Sequence, residues 1–333
     1  MNSLLFHVNE PLKRRFLYSL ALLPGLDKLR HWNQKKAIIL IYHQIRNQGP
    51  FEQQIKFITQ NCNVIELDQL VSLVKEKKPF PPYSVAITFD DGYSCLYRYA
   101  FPVLKAYKCR ATIFINTGLV GSSYPIWPLL LRGYIFNANV SSLSIRNGNP
   151  PLVMNISNVK WKARAYHRIL MLLKHEQHKN LWPILDEIKE ATGTPLISWN
   201  ADDLSLNWNQ IREMESSGLI RFGNHTDSHR TLPWVDEGTL IDELNRAEIA
   251  LVSNTLNPSR VFAFPNGEYD PRADKQLQKT GYIGAVTIKQ QFVTLNTDPM
   301  RLERIGVNDV DEVPLLILRM SGLLSLLRIF TDR

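Results

Sequence analysis

Only three cysteines, Cys62, Cys95 and Cys109, occur in 333 residues, and no two of them stand in a CxxC spacing. An odd, scattered set excludes a disulfide framework and a cysteine-built zinc site, and reads as the reduced thiols of a cytoplasmic protein. Glycine and proline, at 16 and 19 residues, are too sparse for a collagen-like or low-complexity chain. The sequence has neither a P-loop nor a GxGxxG fingerprint, so nothing in it supports nucleotide binding. Long apolar runs are missing too. Residues 16–23, after Lys13-Arg14-Arg15, are too few to span a bilayer, and no A-x-A-like cleavage site follows them. The Leu- and Ile-rich stretch 315–330 is interrupted by Arg319 and Arg328, which helical geometry puts on roughly opposite sides. Both ends are expected to pack as helices on the protein's own core, with contact at a membrane surface as the alternative.

What is present is an ordinary globular composition, 44% hydrophobic and 21% charged. The net charge of +8 favours something anionic nearby, but the basic residues are scattered, with no helix or ribbon organised for a groove. Nucleic acid is therefore not an expected partner. The length fits either two domains of about 150 residues or one α/β barrel.

Short apolar runs that stop at polar or glycine-containing corners recur at 37–42, 85–89, 111–115, 219–222, 261–264, 283–288 and 301–307. Continuous runs of this length suit strands buried on both faces of a parallel sheet. Between them lie helical stripes: Phe51, Ile55 and Ile58; Leu67, Leu70, Val71 and Val74; Leu240, Leu244, Ala247 and Leu251. Seven strands alternating with helices predict a barrel. The gap at about 118–203 is too long for one crossover. Its patterns at 166–173 and 181–188 predict a mostly helical insertion rather than a second catalytic domain. The expected organisation is a helical extension over 1–36, a barrel over 37–310 and a C-terminal helix over 311–333.

Three predicted strands end in reactive groups: Ile41-Tyr42-His43, Thr88-Phe89-Asp90-Asp91-Gly92-Tyr93 and Gly223-Asn224-His225-Thr226-Asp227-Ser228-His229. In a parallel barrel the C-terminal strand ends share one face, so these groups are expected to meet. His225 and His229, four apart, share a face if they lie on a helical turn. Two imidazoles and one carboxylate with an open position describe a catalytic divalent site, most simply zinc. Successive strand residues point to opposite faces, so Asp90 and Asp91 can serve one site only if the chain turns there, and Gly92 permits a turn. One carboxylate would then bind the cation and its neighbour would take a proton from water.

Thr88–Tyr93 and His225–His229 resemble the first two motifs of the polysaccharide deacetylases, the NodB-homology group of carbohydrate esterases. Phe262-Ala263-Phe264-Pro265-Asn266-Gly267 resembles a variant of the third. The resemblance implies a distorted (β/α)7 barrel and metal-dependent removal of acetyl groups from N-acetylated sugars. It makes Asp90 the general base, and Asp91, His225 and His229 the ligands of one divalent ion. Pro265 and Asn266 would line the groove, with Tyr93 supporting it, and the Asn266 backbone N–H would face the oxyanion.

Two positions depart from that pattern. Ala263 stands where the family often has an arginine, and no histidine follows His229 to act as the acid. His43 is the expected substitute, resembling the early Tyr-His motif of a permuted branch that includes exopolysaccharide deacetylases. To donate a proton it needs a pKa near neutrality, which a nearby carboxylate would maintain. Arg304 in Leu302-Glu303-Arg304-Ile305 is expected to replace the arginine, or else to form a surface salt bridge.

The remaining histidines, His7, His31, His167, His175 and His178, read as incidental, the last three on a solvated basic face. Tyr93, Trp127, Trp199, Trp208 and Trp234 are either sugar platforms or core. The expected function is N-deacetylation of a glycan or lipid-linked sugar by a cytoplasmic enzyme, peripheral to the inner membrane face. The alternatives are an amidohydrolase of a small non-sugar amide and a non-catalytic glycan- or membrane-binding barrel.

Overall fold

The computed structural model describes residues 36–146, 151–176, 180–194 and 199–322. The predicted N-terminal extension with His7 and His31, His178, and the C-terminal stretch with Arg328 lie outside the described residues.

The elements run β1 (Ile38–Tyr42), α1 (Gln48–Asn61), β2 (Asn63–Val64), α2 (Leu67–Lys75), β3 (Ser84–Phe89), α3 (Phe101–Ala106) and β4 (Ala111–Ile115). The insertion follows, with α4 (Trp127–Phe136), β5 (Ser142–Ile145), β6 (Leu152–Asn155), α5 (Val159–Met171) and α6 (Leu181–Ala191). The second half contains α7 (Trp208–Ser216), β7 (Ile220–Asn224), α8 (Glu237–Asn254), β8 (Val261–Ala263), α9 (Pro271–Lys279), β9 (Gly284–Val286), β10 (Ile305–Gly306) and α10 (Val313–Ser321).

All seven predicted runs carry strands. The main sheet is parallel in the order β10-β1-β3-β4-β7, with β2 beside the first half of β3, and β8 and β9 form a second parallel pair. A hydrogen bond from Ser259 N to Phe222 O (2.7 Å) links the chain before β8 to β7, and a Val286–Leu302 bridge links β9 to the chain before β10. Apart from β2 and the insertion's β5 and β6, the strands therefore follow one another in chain order around a distorted barrel whose ladder is interrupted on the β8–β9 side. Burial explains their composition. β1, β3 and β4 are buried at every position, so both faces must be apolar.

The helical stripes turn inward as their periodicity requires. Phe51, Ile55 and Ile58 are buried on α1, and Leu67, Leu70, Val71 and Val74 on α2. Helix α8 starts where the Asp236 side chain accepts from Thr239 N and buries Leu240, Leu244, Ala247 and Leu251. The charged Glu243 lies buried on this same stripe. Helix α10 buries Leu316 and Leu318, and Arg319 Nε donates to Asp311 Oδ2 at 2.9 Å, so this part of the C-terminal stretch packs on the protein. Among the described residues, no helix is long and apolar enough to cross a membrane.

The insertion carries one feature that the sequence reading did not single out. It is not helical throughout, because β5 and β6 pair antiparallel with register Leu143–Met154 and Ile145–Leu152. Alternate positions of β5 are exposed and buried, and Leu143 and Ile145 join Trp127, Leu131, Ile135, Ile169, Leu185 and Ile188 in a core separate from the barrel's. Two four-residue strands are too short for period-two alternation to stand out between helices.

Candidate active site

The site forms at the C-terminal strand ends. β1 and β3 pair with Tyr42 opposite Phe89, and Asp90 N donates to Tyr42 O at 3.0 Å, so His43 and Asp90 leave neighbouring strands side by side. The chain turns at Asp91 itself, with φ 69°, and Gly92 continues the turn at φ 61°. That reversal is why consecutive carboxylates serve one place. His225 Nε2 lies 3.5 Å from Asp91 Oδ1 and 3.9 Å from Asp90 Oδ2. A Cβ added to Gly92 would meet Ile115 Cγ2 at 2.6 Å. Gly92→Ala is therefore expected to destabilise the fold by at least about 1–2 kcal/mol from the positive φ alone, read as a lower chemical-denaturation midpoint.

His225 and His229 converge, but not on a helical turn. They sit on an irregular loop in which Thr226 and His229 adopt φ 67° and 60°. Asp91, Thr226, His229 and Asn266 all have left-handed backbone, and strain of this kind survives only where surrounding bonds overdetermine it. Those bonds are present. Asn116 Nδ2 donates to His225 O (2.5 Å), Thr117 Oγ1 to Asp227 Oδ1 (2.8 Å) and Trp127 Nε1 to His229 O (3.3 Å). The buried Glu243 carboxylate accepts from Ser228 N (2.8 Å) and Ser228 Oγ (2.5 Å). Sequence reading missed Glu243, whose signal was a charge set within an apolar stripe. Asn116, Thr117 and Trp127 carried no such signal.

Asp91, His225 and His229 are buried, and one ligand atom from each lies within 4.8 Å of the other two. Asp91 Oδ1 and His229 Nε2 are 3.3 Å apart, and Asp91 Oδ1 is buried without a hydrogen-bond partner. His225 Nδ1 lies 2.8 Å from Ala263 O, which leaves its Nε2 lone pair facing the group. An orphaned carboxylate oxygen and two imidazole nitrogens converging on it fit a divalent cation. Without the cation, burial pushes the Asp91 carboxyl up, but the attraction of the nearby His225 and His229 imidazoles outweighs this and holds it well below the usual range. For His229 burial wins and lowers its pKa, whereas the carboxylates of Asp90 and Asp91 overcome burial at His225 and raise it.

Asp90 is held by Arg304. The guanidinium, fully buried, donates from Nη1 to Asp90 Oδ1 at 2.6 Å and from Nη2 to Oδ2 at 2.7 Å, while Nε donates to Thr287 O at 2.9 Å. This bidentate pair is no surface salt bridge. Burial raises the Asp90 carboxyl, but Arg304 and His225 outweigh it, so the group stays ionised and below its ordinary value.

The other predicted residues separate. Tyr93 is buried, and its hydroxyl is pushed up by burial and by Asp91. Pro265 is buried, and Asn266 is half-buried with Nδ2 donating to Thr231 Oγ1 at 2.9 Å. His43 is half-buried at the end of β1. Its expected near-neutral pKa is not found. Burial lowers it to about 4 although Asp91 and Asp90 both raise it, because desolvation of the imidazolium exceeds their attraction. The solvated reading of Lys174-His175 also fails, since both are half-buried and His175 packs on Trp234.

The chain is 24% identical over 330 residues to poly-β-1,6-N-acetyl-D-glucosamine N-deacetylase of Staphylococcus aureus (strain MSSA476), covering 94% of this chain and 87% of that one. To the enzyme of the same name from Staphylococcus epidermidis it is 22% identical over 328 residues, covering 89% and 87%. IcaB from Ammonifex degensii shares its fold with a TM-score of 0.55 at 18% identity, covering 86% of this chain and 96% of that one. The Streptococcus pyogenes deacetylase PplD does so with a TM-score of 0.55 at 17% identity, covering 85% and 97%. The family profile for polysaccharide deacetylase matches residues 77–144 and 148–285, more than half of the chain, and the protein belongs to that family.

Proposed function

We propose that the protein is a metal-dependent N-deacetylase of a polymer of N-acetylglucosamine, with the β-1,6-linked polymer as the substrate class. The observation that carries this reading is the ionised Asp90–Arg304 pair set against the Asp91-His225-His229 group. The poly-β-1,6-N-acetyl-D-glucosamine deacetylases, similar along most of the chain, supply the substrate class.

Asp91, His225 and His229 would hold the cation, and two imidazoles with one carboxylate suit zinc. Such an ion supplies Lewis acidity, lowering the pKa of a water toward about 7 and polarising the acetyl carbonyl. Asp90, kept ionised by Arg304, accepts the proton of the attacking water. Asn266 lies on the left-handed turn after Pro265, and its backbone N–H would be the donor to the oxygen that gains charge. The C–N bond then breaks, and the leaving amine needs a proton. His43, beside Asp90, is the group to deliver it. Neutral in the resting site, it takes a proton from solvent as negative charge on the tetrahedral carbon's oxygen adds to the pull of the two carboxylates, and passes that proton to the amine.

The test is acetate release from β-1,6-linked N-acetylglucosamine oligomers before and after chelation. Release is expected to fall to background with the chelator and to return on adding a divalent ion. Full activity in demonstrably metal-free protein would overturn the reading.

A further inference from the structure

The two candidate imidazole ligands are not anchored alike. His225 directly follows β7, and its backbone continues the ladder by donating from N to Ile115 O at 3.1 Å. Asn116 Nδ2 holds its carbonyl, and its ring Nδ1 lies 2.8 Å from Ala263 O. Metal-ligating histidines are ordinarily oriented in this way, through the ring nitrogen that faces away from the ion. His229 has no such hold. It lies off the sheet with φ 60°, and its buried Nδ1 meets no hydrogen-bond partner among the described residues. What aims its ring is therefore the backbone, together with an edge-on contact with His225 at 5.1 Å between centroids.

That backbone is held on both sides of His229. Beyond it, Trp127 Nε1 donates to His229 O at a long 3.3 Å. Before it, Ser228 gives both of its donors to one carboxylate, N to Glu243 Oε2 at 2.8 Å and Oγ to Glu243 Oε1 at 2.5 Å. Bonds to an ionised acceptor are the stronger kind. Glu243 comes from α8, where it is 9% exposed in the stripe of Leu240, Leu244, Ala247 and Leu251. Burying a carboxylate there is costly, and burial does push its pKa up, against the Ser228 bonds and the charge of Arg230. An apolar side chain would fill the place more favourably, so packing of the helix gives no reason for Glu243. The loop it clamps does.

We propose that Glu243 is a positioning residue of the metal centre: by clamping Ser228 it holds the left-handed backbone that aims His229 Nε2 at Asp91 Oδ1, and so sets how tightly the divalent ion is bound. The proposal rests on the metal centre of the deacetylase reading and deepens it. Released from the clamp, His229 relaxes toward ordinary backbone angles, and its Nε2 leaves the 3.3 Å approach to Asp91 Oδ1. Asp91 and His225 then remain as firm ligands, and His229 becomes a loose one.

The experiment measures the zinc affinity of metal-stripped protein by competition with a chelator of known affinity. Glu243→Leu, which suits the apolar stripe, is expected to weaken zinc binding by about 10–100-fold, the range for losing a group that orients a ligand. Glu243→Gln, whose amide can accept from Ser228 N and donate to Ser228 Oγ, should restore most of the affinity. Ser228→Ala removes one of the two bonds without touching α8. It is expected to weaken zinc in the same direction and by less, and it carries the test if Glu243→Leu does not fold. Leu240→Ala is the comparison, because it loosens the same helix by opening a cavity while leaving the clamp in place, and its zinc affinity should match that of the unaltered protein. Zinc held by Glu243→Leu and Ser228→Ala as tightly as by the unaltered protein would overturn the proposal. An equal loss in Leu240→Ala would overturn it too, by making helix stability the cause. The two readings fail separately. Zinc affinity that depends on Glu243, without acetate release from any N-acetylglucosamine oligomer, defeats the deacetylase reading alone. Acetate release with zinc affinity indifferent to Glu243 and Ser228 defeats the positioning role alone.

Discussion

Asp90→Asn is expected to slow acetate release by about 10²–10⁴-fold while the protein keeps its divalent ion, which is the range for removing one proton-transfer group. The asparagine retains the shape of the carboxylate and can still accept a bond from Arg304, but it cannot take a proton from water. His229→Ala should abolish release differently, by deleting one of the three converging ligand atoms. Metal content measured on both purified variants separates the two effects. An active Asp90→Asn protein would remove Asp90 from the chemistry, and a His229→Ala protein with full metal content would remove His229 from the ligand set. His229→Ala leaves the buried Asp90–Arg304 pair intact, so its result does not depend on how far the asparagine variant is destabilised.

Arg304→Met is expected to destabilise the fold by about 3–5 kcal/mol, since it leaves a buried carboxylate without its partner. The pH dependence should change sign as well. With Arg304 in place, the Asp90 carboxyl lies below its ordinary 3.8. Its contribution to stability is therefore present above about pH 4 and lost as pH falls through the folded value. Without the guanidinium, burial dominates and raises the carboxyl. The variant then binds its proton more tightly folded than unfolded, and loses stability as pH rises through that raised value. Denaturation midpoints of chelated protein across acidic pH would show this, and so would an acid limb of the activity profile displaced to higher pH. Parallel pH profiles for the two proteins would show that Arg304 does not set the ionisation of Asp90.

Much of the barrel was legible because its strands are buried on both faces. Burial at every position of β1, β3 and β4 demands uninterrupted apolar residues, and those runs mark strand ends directly. The β5–β6 hairpin was not legible, because a strand of four residues in a helical neighbourhood offers too few alternations. His225 and His229 were readable as a pair by spacing, yet the reason for their convergence was not. The loop uses left-handed backbone at Thr226 and His229, which bonds from Asn116, Thr117, Trp127 and Glu243 sustain across long sequence distances. His43 was readable by position at a strand end, while its lowered pKa depends on how much protein surrounds it. Lys174 and His175 look solvated in sequence because their neighbours are basic. Only the packing of the insertion, with His175 edge-on to Trp234, half-buries them.

By itself the sequence determined which chemical groups stand at the ends of parallel strands, and therefore on which face of the barrel they lie, because strand direction and burial are local properties of the chain. The tertiary structure alone decided that Arg304 reaches Asp90 across 214 positions of sequence rather than pairing at the surface. It also decided that the insertion packs against the barrel loop at Trp234 through His175. Both depend on side chains brought together by closure of the barrel, and the low dielectric there makes a buried charge need a partner that no local pattern names.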